Sequence, residues 1–147
     1  MNIAPITPLQ FDSWVKMRGE LWPEQSEAEL RGGAGAMLAD SGGKYFVLIA
    51  SDGGKPIGFA ETSLRRDHVN GCETSPVVFL EGIYVAPAHR KSGVARALVK
   101  AAEDWARAKG CTEFASDALL ENVDSHHMHK ALGFQETERF VYFRKKL

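Results

Sequence analysis

The chain has 147 residues and a formal net charge of −1; 44% of its residues are apolar and 25% are charged. This length predicts one domain, residues 1–147, and this composition predicts a folded globular chain rather than a disordered one. The nearly balanced charge argues against nucleic acid or an anionic membrane as an electrostatic partner.

Three features favour a cytoplasmic location. The N-terminus lacks a basic segment followed by an apolar one, so no signal peptide is expected. No apolar run reaches the length of a transmembrane helix. Cys72 and Cys111 show no metal-ligand spacing, and both are expected to be reduced thiols.

The N-terminal third predicts a short strand and two helices. Residues 2–6 have strand character, and Thr7 with Gln10 forms a capping box for a helix that ends near Leu21. A second capping box, Ser26 with Glu29, opens a helix that ends near residue 39.

The rest of the chain predicts strands alternating with helices. A hairpin joins residues 45–50 to residues 56–64, and a polar connection leads to an apolar strand at residues 77–85. The remaining elements are expected to be a helix at residues 96–110, a strand at 111–116, a helix at 122–132 and a last strand at 139–144. This order predicts an α/β fold in which a mixed central sheet is flanked by helices.

The strand at residues 77–85 leads into a turn suited to a phosphate. Pro87 ends the strand, residues 90–95 form a basic, glycine-centred turn, and a helix follows. The first N–H groups of a helix lack internal partners, and the helix dipole favours an anion there. An isolated turn of this kind is more often solvated surface.

The pattern around this turn resembles the acyl-CoA loop of the GCN5-related N-acetyltransferases. That loop reads Arg/Gln-x-x-Gly-x-Gly/Ala after a strand, and Asn122 followed by residues 132–134 (Leu-Gly-Phe) is similar to a second landmark of the family. The resemblance implies acetyl-CoA as co-substrate. It also implies a set of cofactor contacts: the backbone of Ile83, Tyr84 and Val85, the turn residues Arg90, Lys91, Ser92, Gly93, Val94 and Ala95, and Asn122.

Several carboxylates predict an anionic pocket for a polycation. Glu81 interrupts an apolar strand, where a charge is costly unless it is paired or faces a cavity. Strand alternation predicts that Glu81, Ile83 and Val85 share one face. Asp117 follows a strand whose C-terminal end could hold a ligand, although a capping role would also explain it.

Longer stretches resemble the aminoglycoside 6′-N-acetyltransferases, among them residues 21–23, 66–72, 75–82, 115–117 and 131–139. This resemblance implies an aminoglycoside substrate, antibiotic resistance as the outcome, and a homodimer. It places substrate contacts at Trp22, Gln25, His68, Glu81, Asp117 and Glu138. Gln25 and His68 stand where close relatives carry His and Tyr, which could change the range of aminoglycosides that fit.

The expected mechanism is direct transfer of the acetyl group to the amine. The N–H of Val85 would polarise the thioester carbonyl, while Asp117 and Glu81 would bind the ammonium group and accept its proton. His129, seven residues after Asn122, is the candidate acid for the leaving thiolate, and Tyr142 competes with it despite an expected place in the core. No metal is implied, although three histidines lie together near residue 127.

Two other functions remain open. One is an acetyltransferase with the same donor site but another amine, such as a polyamine, an amino sugar or a peptide. The other is a non-catalytic acyl-CoA-binding sensor, which would bind the cofactor without turning over any amine.

Overall fold

The computed structural model describes residues 1–147, and its helices and strands follow the predicted order up to residue 131. The strands are β1 (Asn2–Pro5), β2 (Tyr45–Asp52), β3 (Lys55–Arg65), β4 (Val77–Val85) and β5 (Phe114–Ser116), and the α-helices are α1 (Phe11–Leu21), α2 (Glu27–Ala39), α3 (Val94–Ala108) and α4 (Val123–Ala131). Both predicted capping boxes are present, at Thr7 and Ser26. No helix is both long and apolar enough to cross a membrane.

The five strands form one mixed sheet in the order β1-β2-β3-β4-β5. The first four strands are antiparallel to their neighbours, whereas β5 runs parallel to β4. The β4–β5 pairing covers three residue pairs and ends at Leu80 opposite Ser116. Strand β4 therefore continues to Val85 with no partner on the β5 side, which leaves an opening in the sheet.

Helices cover both faces of the sheet. Helices α1 and α2 pack on one face, where Trp14 and Phe59 are fully buried. Helix α3 packs on the other face through an apolar stripe, in which Leu98 and Ala102 are fully buried. Burying one leucine side chain of this kind contributes roughly 2 kcal/mol. These two cores fix the position of β4, which has a buried residue in each of them.

A β-bulge at Glu81 corrects the expectation about the faces of β4. Glu61 of β3 pairs with Gly82 and the next residue of β3 pairs with Leu80, so Glu81 is an extra residue with no partner. The bulge interrupts the alternation of side chains. Ile83 and Val85 pack in the α3 core, whereas Glu81 contacts side chains on the α1 face. The prediction that Glu81 shares a face with Ile83 and Val85 is therefore wrong.

The predicted last strand is absent. Residues 135–147 form neither helix nor strand, and an isolated strand lacks the ladder hydrogen bonds that would stabilise it. The side chains from Phe140 to Phe143 are 51–91% exposed. Tyr142 is among them at 86% exposure, so its expected place in the core is also wrong.

Candidate active site

A cavity of about 900 Å³ lies between the end of α1, the end of β3 with the loop that follows it, and Glu81 in the middle of β4. Four of the six predicted substrate residues line it, namely Trp22, Gln25, His68 and Glu81. The lining also carries four cationic side chains and three carboxylates: Arg18, Lys44, Arg65 and Arg66, and Glu61, Asp67 and Glu81. The cavity thus has more cationic side chains than carboxylates, whereas the sequence predicts an anionic pocket.

The Glu81 carboxylate accepts hydrogen bonds from two side chains of β3. Its Oε1 accepts hydrogen bonds from Ser63 Oγ at 2.5 Å and from Arg65 Nη2 and Nε at 2.8 and 3.2 Å, and its Oε2 accepts a second bond from Arg65 Nη2 at 3.0 Å. Ser63 and Arg65 are two residues apart on β3 and so project to the same face. The bulge turns Glu81 toward them, and none of these four hydrogen bonds follows from the sequence of β4 alone.

A buried ion pair supports one wall of the cavity. Arg18 Nε lies 2.6 Å from Glu61 Oε1, and the two side chains are 7% and 1% exposed. Trp14 Nε1 donates to the same oxygen at 2.9 Å. Burial raises the pKa of the Glu61 carboxyl, and the Arg18 guanidinium opposes that shift. Sequence reasoning missed this pair, because Arg18 lies within the apolar stripe of α1 and Glu61 lies on a strand 43 residues away.

The Trp22 ring lies between this ion pair and strand β4. The Arg18 Cζ atom is 5.1 Å from the ring centroid. On the other side the ring contacts the backbone of Gly82, where an added Cβ would lie 2.7 Å from ring carbon Cη2. A glycine is therefore required beside Glu81 for the indole to reach this position. Trp22 is held by packing and at the same time forms a wall of the cavity.

Asp117 and Glu138 do not line this cavity. Asp117 directly follows Ser116, whose register partner is Leu80, so by chain order it lies next to Glu81 across the opening between β4 and β5. Glu138 follows Thr137, a residue in contact with Gly71 of the loop that also carries His68. Neither carboxylate makes a hydrogen bond or an ion pair. Their predicted contacts with a substrate stay predictions.

The backbone of β4 offers donors toward the opening. Ala86 N donates to the carbonyl of Ile57 at 2.8 Å, so the next pair along the ladder, Gly58 with Val85, is a non-hydrogen-bonded pair. The N–H of Val85 therefore points away from β3 into the opening, and the same alternation applies to Ile83. The backbone groups of Tyr84 face β3 instead.

The predicted phosphate turn has the expected backbone form. Gly93 has φ of 87° and is the N-cap of α3, and nothing lies within 4 Å of an added Cβ there. The N–H groups of residues 91–93 donate no hydrogen bond within the protein, and the first N–H groups of α3 lack partners in the helix. Open space, free donors and a helix N-terminus fit a pyrophosphate group.

The Arg90 side chain connects this turn to β4. Its Nε donates to the carbonyl of Val85 at 2.8 Å, and its Cζ lies 5.8 Å from the Tyr84 ring centroid. Tyr84 in turn donates its hydroxyl hydrogen to Glu20 of α1. Burial, together with this bond to a carboxylate, raises the pKa of Tyr84 to about 12.

His129 lies on α4 beside the end of β5. Its Nδ1 is 2.7 Å from the carbonyl oxygen of Ser125, which can only accept, so this nitrogen carries the hydrogen. Its Nε2 is 2.7 Å from Ser116 Oγ. The same Oγ lies 3.4 Å from the carbonyl oxygen of Leu80. Ser116 thus stands between His129 and the opening, and sequence reasoning missed it because a serine beside Asp117 carries no distinctive pattern.

Asn122 has a structural role in addition to its predicted contact with the cofactor. It is the N-cap of α4, and its side-chain oxygen accepts from the N–H of Ser125 at 3.2 Å. No group of three or more His, Cys, Asp or Glu side chains is placed to hold a metal ion. His126 instead contacts the carbonyl of Leu119 at 2.9 Å.

Residues 8–134 match the family model of the acetyltransferase (GNAT) family, and the chain belongs to this family. The chain is 51% identical to the aminoglycoside N(6′)-acetyltransferase type 1 of Acinetobacter haemolyticus, over 100% of this chain and 99% of the relative. It is 45% identical to the protein of the same name from Salmonella typhimurium, over 99% of each chain.

Solved structures agree with this assignment. The crystal structure of the apo 6′-N-acetyltransferase AAC(6′)-IG from Acinetobacter haemolyticus has a TM-score of 0.94 and 50% identity, over 100% of this chain and 99% of that one. The structure of AAC(6′)-Iy in complex with the bisubstrate analogue CoA-S-monomethyl-acetylneamine has a TM-score of 0.92 and 41% identity, over 99% and 98%. The predicted fold and family are thereby confirmed.

Proposed function

We propose that this protein acetylates the 6′-amine of aminoglycoside antibiotics with acetyl-CoA, and so gives resistance to them. One observation carries the proposal: the unpaired end of β4 has the Glu81–Trp22 cavity on one face and leads to the phosphate turn. A cationic acceptor and an acyl-CoA donor could therefore meet at this strand. Relatives that cover the whole chain bear the name of this activity.

Acetyl-CoA supplies the acetyl group as a thioester. The amides of residues 91–95 are suited to hold its pyrophosphate, because they combine free donors with the positive end of α3. The N–H of Val85 points into the opening and would donate to the acetyl oxygen. One such donor contributes on the order of 3 kcal/mol to transition-state stabilisation.

The acceptor amine must lose a proton before its nitrogen forms a bond to the acetyl carbon. Asp117 is the better candidate to accept this proton, directly or through water, because its carboxylate has no partner in the structure. Glu81 already accepts several hydrogen bonds, which suits a group that binds an ammonium ion rather than one that takes its proton. Trp22 and Glu138 would contact the rest of the aminoglycoside.

The sulfur that leaves the acetyl carbon needs a proton. His129 is the proposed acid, and the structure adds Ser116 as the hydroxyl through which it would act. In the imidazolium form, Nε2–H would donate to Ser116 Oγ, whose own hydrogen would then be free for the sulfur. The exposed Tyr142 has no comparable position.

We also propose a homodimer in the cytoplasm, with neither nucleic acid nor membrane as a partner. The exposed apolar side chains of residues 140–143 support association, since alternating aromatic segments of this kind pair with other strands. The net charge of −1 supports the absence of a polyanionic partner.

A thiol-release assay with acetyl-CoA tests the proposed function. The acceptors are neamine, which carries a 6′-amine, its counterpart paromamine with a 6′-hydroxyl, spermidine and a lysine peptide; enzyme alone gives the blank for Cys72 and Cys111. Turnover of neamine without turnover of paromamine supports the substrate and the regiochemistry. Turnover of spermidine or peptide alone would refute the substrate, and binding of acetyl-CoA with no turnover at all would favour a sensor.

A further inference from the structure

Two of the three carboxylates that line the cavity are neutralised by arginines of the same chain. Glu61 is paired with Arg18, and Glu81 is paired with Arg65. Asp67 is the only lining carboxylate that makes no ion pair, and Lys44 and Arg66 add two unpaired cations. A polycationic substrate therefore finds little free negative charge in this cavity unless one of the internal pairs opens.

The two internal pairs differ in how readily they could open. The Arg18 and Glu61 side chains are 7% and 1% exposed, and separating them would leave two unpaired charges in the core. The Arg65 and Glu81 side chains are 40% and 31% exposed, so water can solvate each partner after separation. Arg65 is also the last residue of β3 and leads into the loop of residues 66–76.

Arg65 has a second resting contact that does not involve Glu81. Its Cζ atom lies 3.6 Å from the centroid of the Phe79 ring. A guanidinium over an aromatic ring retains cation–π attraction when its hydrogen bonds to a carboxylate are lost. The side chain could therefore release Glu81 and still remain against Phe79.

We propose that Arg65 is an internal counter-ion that occupies the ammonium subsite at Glu81 and is displaced when the substrate binds. Its guanidinium sets how strongly a substrate amine must compete, which makes Arg65 a specificity-determining residue. Substrates with a weakly basic or neutral group at this place do not displace it. This inference rests on the proposed function, because it takes the ligand of Glu81 to be an aminoglycoside ammonium group.

Binding of neamine to full-length variants, measured by titration calorimetry, tests the proposal. Arg65→Gln is the main variant, and Arg66→Gln is its matched control, because it removes the same charge from the same cavity without unpairing Glu81. The expected result is that Arg65→Gln lowers the Kd about two- to fivefold more than Arg66→Gln, the range that one partly exposed ion pair supports. In a Glu81→Gln background, Arg65→Gln gives no such gain.

Weaker binding by Arg65→Gln would overturn the proposal, because it would show that Arg65 holds Glu81 in its binding position. Equal gains from Arg65→Gln and Arg66→Gln would also overturn it, since only net charge would then matter. Arg65→Lys, which loses the bidentate geometry, gives a smaller gain of the same sign and serves if the first variant does not fold. A wild-type enzyme that does not acetylate neamine refutes the proposed function, whereas turnover without the Arg65 effect refutes this inference alone.

Discussion

At the scale of single residues, Tyr84 connects the cofactor side of the site with the substrate side. Its ring contacts the Arg90 side chain of the phosphate turn, and its hydroxyl group bonds to Glu20 on the helix that precedes Trp22. Ionisation of the phenol would break its bond to Glu20, since a phenolate cannot donate to a carboxylate, and would strengthen its attraction to the Arg90 guanidinium, which lowers the pKa of this phenol. The state of this one group thus affects the cofactor side and the substrate side together.

We predict that Tyr84 ionises late, with a pKa raised to about 12 by burial and by its bond to Glu20. The fold binds this proton more tightly than the unfolded chain does. The stability linked to it is therefore complete below the ordinary tyrosine pKa of about 10 and is lost as the pH rises through about 12. Absorbance titration of the phenolate measures it.

Tyr84→Phe should abolish the late-titrating step, whereas Tyr142→Phe, which removes an 86% exposed tyrosine, should leave the step in place. A late step that survives in Tyr84→Phe would contradict the assignment. Because each variant removes one phenol, a difference between the two variants is specific to the phenol that bonds to Glu20.

Removing the charge of Asp117 is predicted to change a different kinetic constant from removing the charge of Glu81. Asp117→Asn should lower kcat by about a hundredfold or more, because a positioned base contributes at least that factor to proton transfer. Glu81→Gln should mainly raise KM, since the proposed role of this carboxylate is to bind the ammonium group of the substrate rather than to take its proton. Steady-state kinetics with neamine checks both. A raised KM with unchanged kcat in Asp117→Asn would reduce Asp117 to a binding residue.

At the scale of elements, the position of helix α1 depends on an ion pair that the sequence of the helix does not predict. Its stripe places Arg18 between Trp14 and Trp22, and the guanidinium reaches Glu61 on β3. The pair fixes α1 on the sheet and holds the wall that carries Trp22. Removing one partner leaves the other charge buried, which is worse than removing both.

Arg18→Met is expected to lower the free energy of unfolding by about 3–5 kcal/mol near neutral pH. Burial already raises the pKa of Glu61, and loss of the opposing guanidinium would raise it further. A raised carboxyl pKa means that the associated stability is present at low pH and is lost as the pH rises through the folded-state value. The loss in Arg18→Met should therefore be smaller at about pH 5 than at about pH 8.

Urea unfolding at the two pH values measures this difference. Arg31→Met is the matched control, because its partner Asp12 is 85% exposed and the change should leave the free energy of unfolding nearly unaltered. An Arg18→Met protein as stable as the wild type at about pH 8 would show that Glu61 is not held as an anion by Arg18.

The elements themselves were largely predictable, and their contacts were not. Strand β4 has its predicted bounds because an apolar run lies between Pro76 and Pro87. The bulge at Glu81 could not be predicted, because it depends on the register with β3 rather than on local pattern. The Arg65–Glu81 pair and the Ser116–His129 contact likewise join residues that only the folded sheet brings together.

At the scale of the whole molecule, the C-terminal segment is the place where sequence preference and observed structure disagree. The sequence from Phe140 to Phe143 has the composition of a strand, yet within one chain it lies exposed and without ladder hydrogen bonds. Four adjacent apolar side chains at 51–91% exposure form a surface that favours association. A second copy of the chain would reconcile the strand-like sequence of this segment with its exposed position, because it could supply the missing hydrogen-bonded strand.

Deletion of residues 140–147 is therefore predicted to convert a dimer into a monomer, because it removes the exposed apolar segment while keeping Glu138 and the cavity. Light scattering coupled to size exclusion measures the mass. Deletion of residues 145–147 alone is the control, since it removes two lysines and Leu147 but keeps the aromatic segment. The control should remain a dimer. A wild-type protein that elutes as a monomer, or a shortened protein that still has twice the mass of the chain, would contradict the prediction and leave the exposed segment without a role in assembly.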